Sequence, residues 1–428
     1  MRRLLAATQQ ALAAPPRNPR MAVVIGRLLA IAFLLCFGTG LYSHFLQEPE
    51  PWMRFSTVPA QLYQVTQGIH ITAGIACFPL ILGKLYTIYP QLFQTPPVKS
   101  PLHLLERASI ALFVGASLVQ ITIGLLNTYQ WYPWKFGFRE VHWALSFVVI
   151  GSLAIHIAVK LPMIARFWTR NSEGTRELRG ETPGGETPGG ETPGGETAPD
   201  AAAPVAESAP VGGVTGRIFR WIDGAPSPEP AVSRRGFMTA VGVSTATVVA
   251  LTAGQSFAAL SPFNIFAPRV KGTGPNALPV NRTAKAAQVL DTAVSPDWAL
   301  TISNGPRTVT LTRAELLALP QTTVELPISC VEGWSQMATW KGVRLRELLN
   351  KVGADTSQGL KLTSLEKKGG YRVTQMGPEY AFDASTLVAL EVNGDTLDID
   401  HGYPARMIAP GRPGVLQTKW LSKLEVEA

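Results

Sequence analysis

Charge is what this sequence has least of. Only 16% of its 428 residues are Asp, Glu, Lys or Arg, against roughly 25% in an ordinary soluble domain. The shortage is local. Residues 28–46, 60–83, 108–134, 141–159 and 236–268 contain none of the four. Each run is long enough to cross a bilayer as a helix, which takes about 20 apolar residues. A soluble protein, a disordered one and a β-barrel porin are thereby excluded. Cysteine is scarce too: three in all, with only Cys330 outside the apolar runs. Histidine numbers six. The net charge of +8 does not gather into a stripe that would suit nucleic acid. Many of the basic residues flank the apolar runs, where they act as topology signals.

Those flanks predict an orientation. Residues 1–27 carry Arg2, Arg3, Arg17, Arg20 and Arg27 and no acid, which suits the cytoplasm. Glu48, Glu50 and Arg54 suit the outside; Lys84, Lys99 and Arg107, then Lys160, Arg166 and Arg170, suit the inside again. Trp52, Trp131, Tyr132 and Trp134 fall near the outer boundary, as belt aromatics do. The expected organisation is a basic cytoplasmic N-terminus (1–22) and an all-α four-helix transmembrane bundle (23–164). A cytoplasmic linker (165–232), a fifth transmembrane helix (233–260) and an extracytoplasmic domain (261–428) follow.

The linker holds three copies of Glu-Thr-Pro-Gly-Gly, at 181–185, 186–190 and 191–195. Such composition buries too little apolar surface to offset the entropy of ordering, so a flexible tether is expected. The fifth segment opens with Ser233-Arg234-Arg235-Gly236-Phe237-Met238. Paired arginines ahead of a weakly apolar stretch resemble a twin-arginine export signal, on the side the first four helices predict. The domain beyond it is balanced in charge. Short β-rich runs at 298–302 and 308–311, and helix-like pieces at 312–318 and 343–352, predict an α+β fold.

Four histidines lie in or beside the apolar runs: His44, His70, His142 and His156. Ionisable groups there are costly and usually functional. His142 and His156 are fourteen residues apart, a rise of about 21 Å and close to four whole turns. Both imidazoles should face one side, at two depths. Imidazole is a standard axial ligand of haem iron. His70, at matching depth on the second helix, is the expected partner of His142, and His103 the expected partner of His156. His44 could serve the outer haem or a quinone site. The bland reading of each is an interfacial histidine bonded to backbone. These residues resemble the bacterial four-helix di-haem cytochrome b family over about 25–160, which implies one or two haems b and a quinone partner. In that family an inner ligand commonly comes from the first helix, which here has no inner histidine.

Cys330 has no partner in its own domain, and no neighbouring Cys or His could complete a zinc site. It is either buried and inert, or a ligand or nucleophile. A single thiolate can ligate a metal whose other ligands belong to a cofactor. The runs Cys330-Val331-Glu332-Gly333-Trp334-Ser335 and Trp340-Lys341-Gly342-Val343 resemble the sulfite-oxidase family of molybdopterin enzymes, in its segment bearing the molybdenum cysteine. Asp400-His401-Gly402-Tyr403-Pro404-Ala405-Arg406, Pro410-Gly411-Arg412-Pro413-Gly414 and Thr418-Lys419-Trp420 resemble its closing pterin-binding segment. The resemblance covers about 276–428. It implies Cys330 on molybdenum, with Arg406 and Tyr371 catalytic. It also implies Asn281, Arg282, His401, Arg406, Arg412 and Lys419 on the molybdopterin. Glu332 and Trp334 follow the cysteine where eukaryotic sulfite oxidases have basic residues, which is closer to the bacterial branch that includes a methionine-sulfoxide reductase.

Together these resemblances imply a membrane oxidoreductase linking the quinone pool, haem b and an extracytoplasmic molybdenum site that exchanges an oxygen atom with a small oxo-acid or sulfoxide. The twin-arginine and general secretion machineries would insert it in the cell membrane. The alternative is a quinone-linked cytochrome whose outer domain only binds.

Overall fold

The computed structural model describes residues 19–88, 98–168, 233–266 and 268–427. The N-terminal residues to 18 and the Glu-Thr-Pro-Gly-Gly repeats, with the expected linker from 169 to 232, lie outside them.

Helices form wherever the charge-free runs lie, and they extend into the charged flanks. The bundle consists of α1 (Pro19–Gln47), α2 (Leu62–Ile88), α3 (Pro101–Thr128) and α4 (Phe138–Arg166), joined by α5 (Arg234–Thr252). All five are long and apolar enough to cross a membrane. Helices suit that role because every backbone group is bonded within the segment. Ser100 caps α3, its side chain accepting from the His103 N–H, with Pro101 at the first helical position. Ser233 caps α5 through the Gly236 N–H, so Arg234 and Arg235 form its first turn. The bundle core holds Ile25, Leu29, Phe33, Cys77, Ile81, Phe113, Val149 and Leu153. Phe33 and Phe113 meet edge to face at 5.3 Å.

Two charge-free runs outlast their helices. That of α3 continues to 134, but the helix stops at Thr128 and an aromatic loop takes over. That of α5 continues to 268, yet the helix stops at Thr252, short of the expected 260. Residues 253–255 and 258–263 form 3-10 turns instead. The backbone doubles back there: a Cβ on Gly254 would stand 2.4 Å from the Leu260 carbonyl oxygen. Ala253, Gly254, Gln255 and Ser256 are buried.

The C-terminal domain is α+β, as expected, with two five-stranded sheets. Among the described residues there are ten strands: β1 (Ala299–Asn304), β2 (Arg307–Thr312), β3 (Thr322–Ser329), β4 (Ser335–Arg344), β5 (Leu360–Ser364), β6 (Val373–Met376), β7 (Leu387–Val392), β8 (Asp395–Thr396), β9 (Arg406–Ile408) and β10 (Leu421–Val426). One sheet runs β2-β1-β10-β5-β6; the other runs β3-β4-β7-β8, with β9 also on β7. Leu300, Ile302, Val343, Val388, Leu390, Leu421 and Leu424 are fully buried in the main core. Each contributes roughly 1.5–3 kcal/mol by leaving water. The Trp340–Val343 run crosses β7 so closely that a Cβ on Gly342 would meet the Val388 carbonyl oxygen at 2.1 Å. Only glycine fits at that register shift between β4 and β7.

This domain sits on the end of the bundle where α1 and α3 finish and α2 and α4 begin. Arg54 pairs with Glu379 at 3.9 Å, and the Tyr371 hydroxyl donates to Gln47 Oε1 at 2.8 Å. We call this the domain end of the bundle and the opposite one the far end.

Candidate functional site

Helix geometry builds the first half of the site. His70 on α2 and His142 on α4 face each other with ring centroids 6.2 Å apart and planes at 65°. Such a gap fits one metal atom bonded on each side at about 2 Å, the usual metal–imidazole distance. The His70 ring is oriented through Nδ1, which lies 3.0 Å from the Cys36 carbonyl oxygen and 3.2 Å from Thr39 Oγ1. Its Nε2 is left for a ligand, the usual way a backbone contact sets a ligating imidazole. The His142 Nδ1 is buried without a partner, while Gln120 donates to the His142 carbonyl at 2.9 Å. Two glycines stand against these rings. A Cβ on Gly40 would be 3.3 Å from His70, and one on Gly124 would be 3.4 Å from His142. The donor set and the flat space beside it fit a haem.

Three other histidines fall elsewhere. His44 stacks on Trp143 at 3.6 Å and 8° and lies 3.8 Å from Glu48. His156 lies nearly parallel to Phe113, with centroids 6.3 Å apart. His103, in the first turn of α3, accepts at Nδ1 from the Lys99 N–H at 3.2 Å.

Loops and strand ends build the second half. Cys330 follows β3 directly and is 1% exposed. Its N–H bonds the Trp334 carbonyl at 2.8 Å, closing a tight loop back to β4. Gly333 in that loop has φ +99°, a left-handed conformation that suits glycine, and a Cβ there would lie 2.8 Å from Ile71. The cysteine loop therefore rests on α2 one residue from His70. Gln67 donates to the Val331 carbonyl at 3.0 Å, and Ser256 donates to the Gly333 carbonyl. Burial pushes the Cys330 thiol well up, and the Glu332 carboxylate adds to it. A bound metal ion would hold it as thiolate.

Three cations are buried around Cys330 and the closing segment. Arg406 is 1% exposed; its Nη1 donates to the His401 carbonyl at 3.2 Å, and its Nε has no partner. Burial pulls its guanidinium down to about 9. Arg412 donates to the Gln375 carbonyl, keeps Nη1 unpartnered, and is pulled down to about 10, again by burial. Lys419 is pulled to about 7 by burial and by Arg406. None of the ion pairs among the described residues includes these three. Buried charges without counter-charge cost several kcal/mol each by general experience. Arg406 Nε and Arg412 Nη1 lack acceptors, and an anion carrying a phosphate would supply them, so the residues fit a molybdopterin.

Not every expected contact is free to act so. Lys419 Nζ already donates to Asn281 Oδ1, the Arg282 carbonyl and the Asp400 carbonyl, at 3.1, 2.6 and 2.9 Å. It clasps three segments together. Arg282 pairs with Glu366. His401 Nε2 bonds the Leu278 carbonyl at 3.2 Å and is held down to about 4 by burial, so it is neutral and turned to backbone. His401 also stays out of the cavity described next.

One cavity of about 1210 Å³ joins the halves. It runs from His70, His142 and Gly124 past Gln130 and Glu332 to Asn281, Arg282, Tyr371, Lys419 and Trp420. Cys330 and Arg406 stand behind that lining. Tyr371, raised by burial, feels the Arg139, Glu48 and Cys330 groups. A polar clasp lies at the seam. Gln130 donates to Glu332 and to the Asn281 carbonyl, Arg269 donates to Gln130 at 2.7 Å, and Arg269 and Glu332 lie 3.9 Å apart. The only sequence hint was a carboxylate two residues after the cysteine. Among the described residues no three His, Cys, Asp or Glu side chains converge on a metal.

Comparison with known proteins defines the class. Residues 20–165 match the family "prokaryotic cytochrome b561", and residues 286–428 match "oxidoreductase molybdopterin binding domain". The chain therefore joins a cytochrome b561 domain to a molybdopterin-binding oxidoreductase domain of the sulfite-oxidase type, with haem b and molybdopterin as the implied cofactors. Among relatives, sulfite oxidase of Arabidopsis thaliana is 32% identical over 21% of this chain and 27% of its own. The putative protein-methionine-sulfoxide reductase subunit YedZ1 of Azospira oryzae is 32% identical over 26% of this chain and 42% of its own. A nitrate reductase of Solanum lycopersicum is 37% identical over 20% and 11%. The matches thus span well under half the length of each of these relatives.

Proposed function

We propose that this chain is a membrane-bound, molybdopterin-dependent oxidoreductase. Electrons pass between the quinone pool, a haem b held by His70 and His142, and a molybdenum site at Cys330 that exchanges an oxygen atom with a small oxo-acid or sulfoxide. The observation that carries this reading is the single cavity from the facing imidazoles to Lys419 and Trp420, with the Cys330 loop seated on Ile71. When bound, haem b supplies one-electron transfer and molybdopterin supplies the oxygen-atom chemistry. The protein's own part is positioning and charge. Cys330 anchors the metal, Arg406 and Arg412 neutralise the anionic cofactor, and Asn281 and Arg282 border it. Tyr371 projects a hydroxyl where the substrate would sit. The Gln130–Glu332–Arg269 clasp ties the two domains together at the seam.

The orientation belongs to the same proposal. Basic flanks put the N-terminus and the linker in the cytoplasm and the C-terminal domain outside the cell membrane. Arg234 and Arg235, in the first turn of α5, would engage the twin-arginine machinery. The test is metal analysis of purified full-length protein beside reduced-minus-oxidised spectra. One molybdenum per chain and b-type bands are expected, and absence of either overturns the reading. Substituting Lys for Arg234 and Arg235 should leave the last domain inaccessible to external protease.

A further inference from the structure

The bundle repeats its plan along its length, and the far end departs from it. On α4, fourteen residues separate His142 from His156, a rise of about 21 Å. On α2, which runs the same way, fourteen residues beyond His70 stands Lys84. On α1 and α3, which run oppositely, the two glycines beside the rings are Gly40 and Gly124. Fourteen residues toward the far end from these lie Gly26 and Ile110. The far layer thus holds one imidazole, an ammonium in place of the second, and one glycine instead of two.

The remaining glycine is already filled. A Cβ on Gly26 would stand 2.5 Å from Lys84 Nζ, and that ammonium lies 3.4 Å from the Ala22 carbonyl oxygen. His156 is half-buried, its Nδ1 is buried without a partner, and the charged groups bearing on it are Lys84, Lys160 and Glu106. Lys160 and Glu106 pair with each other. A second haem needs a second axial ligand and a flat space between helices; here Lys84 occupies the space and Ile110 replaces the glycine opposite. Two donors at this depth, an imidazole on α4 and an ammonium on α2, instead match a small flat molecule with two ring oxygens that arrives through lipid. Ionisable groups kept in such a place usually mark a ligand or proton path.

We propose that Lys84 and His156 form the head-group site for the quinone, and that the protein carries one haem, at His70 and His142. The site rests on the quinone link proposed above. The test uses full-length protein in lipid nanodiscs. Haem per chain is counted as its pyridine complex, and haem reduction by a short-chain quinol is timed, with dithionite as the quinone-independent reductant. One haem per chain is expected. His156→Ala and Lys84→Met should keep that haem, its spectrum and its response to dithionite. Each should lose about tenfold in quinol-driven rate, the scale of one lost hydrogen bond, with KM raised, and Lys84→Arg should recover most of it. Two haems per chain, or haem content halved in His156→Ala, overturns the proposal, as do unchanged quinol kinetics in both variants. A wild-type haem reduced by dithionite but by no quinol overturns the quinone link itself, while the haem count is read independently.

Discussion

In the bundle, His70 and His142 meet because helix rise puts them at one depth, and two glycines keep the space beside them clear. In the C-terminal domain, Cys330 ends a strand, Tyr371 precedes another, Arg406 opens a third and Lys419 lies just before a fourth. Neither arrangement resembles the other in how it depends on the chain. The first is periodic and survives small changes in loops. The second exists only when two sheets have folded and their connections have been clasped. A helical site of this kind is therefore tolerant, and a loop-built site of this kind depends on its supports.

Substitutions that strike one half and spare the other should expose that contrast. The largest effect is expected from Cys330→Ser: oxygen-transfer turnover abolished and molybdenum lost on gel filtration, with the haem spectrum unchanged. His142→Ala should do the converse, removing the b-type bands while molybdenum content stays at the wild-type level by metal analysis. Arg406→Met should lower molybdenum retention at least about tenfold, the scale set by a charge-assisted hydrogen bond. Cofactor-free Arg406→Met protein should melt no lower than cofactor-free wild type, because the variant no longer buries an uncompensated guanidinium.

Gly333→Ala tests the seam between the halves. The left-handed φ of +99° and the 2.8 Å approach to Ile71 should cost about 1–3 kcal/mol. Both cofactors should remain, while stopped-flow transfer between haem and molybdenum slows severalfold. The smallest effect concerns pH. Lys419 titrates at about 7 in the fold because of burial and Arg406, below the ordinary lysine value of about 10.4. The unfolded chain then binds more protons across that window, so stability of the cofactor-free domain should rise as pH increases from about 7 to about 10. Hydrogen exchange along β10 in the full chain should report that slope. Lys419→Met should flatten it.

Much of this was legible beforehand. Five charge-free runs announced five helices, and the fourteen-residue spacing put two imidazoles on one face of α4. The motif around Cys330 and the closing arginines lie within the stretch that matches the molybdopterin-binding family. Other features had no local signature. The end of α5 at Thr252 was hidden because apolar sequence continues into a buried turn against the Cys330 loop. The bond from the Lys99 N–H to the His103 ring could not be read from spacing. His401 and Lys419 sit in the right motif, yet their partners come from residues 278–282 and from Asp400, which only folding brings near.

By itself the sequence determined the membrane-crossing segments, the facing histidines and the one thiol of the C-terminal domain, because apolar length, helical period and residue chemistry are local properties. The tertiary structure decided that residues of both domains line one cavity, that a Gln–Glu–Arg clasp bridges the seam, and that Lys84 reaches Gly26 in the far layer. Those outcomes depend on which side chains reach the same volume first, and no single stretch of chain carries that information.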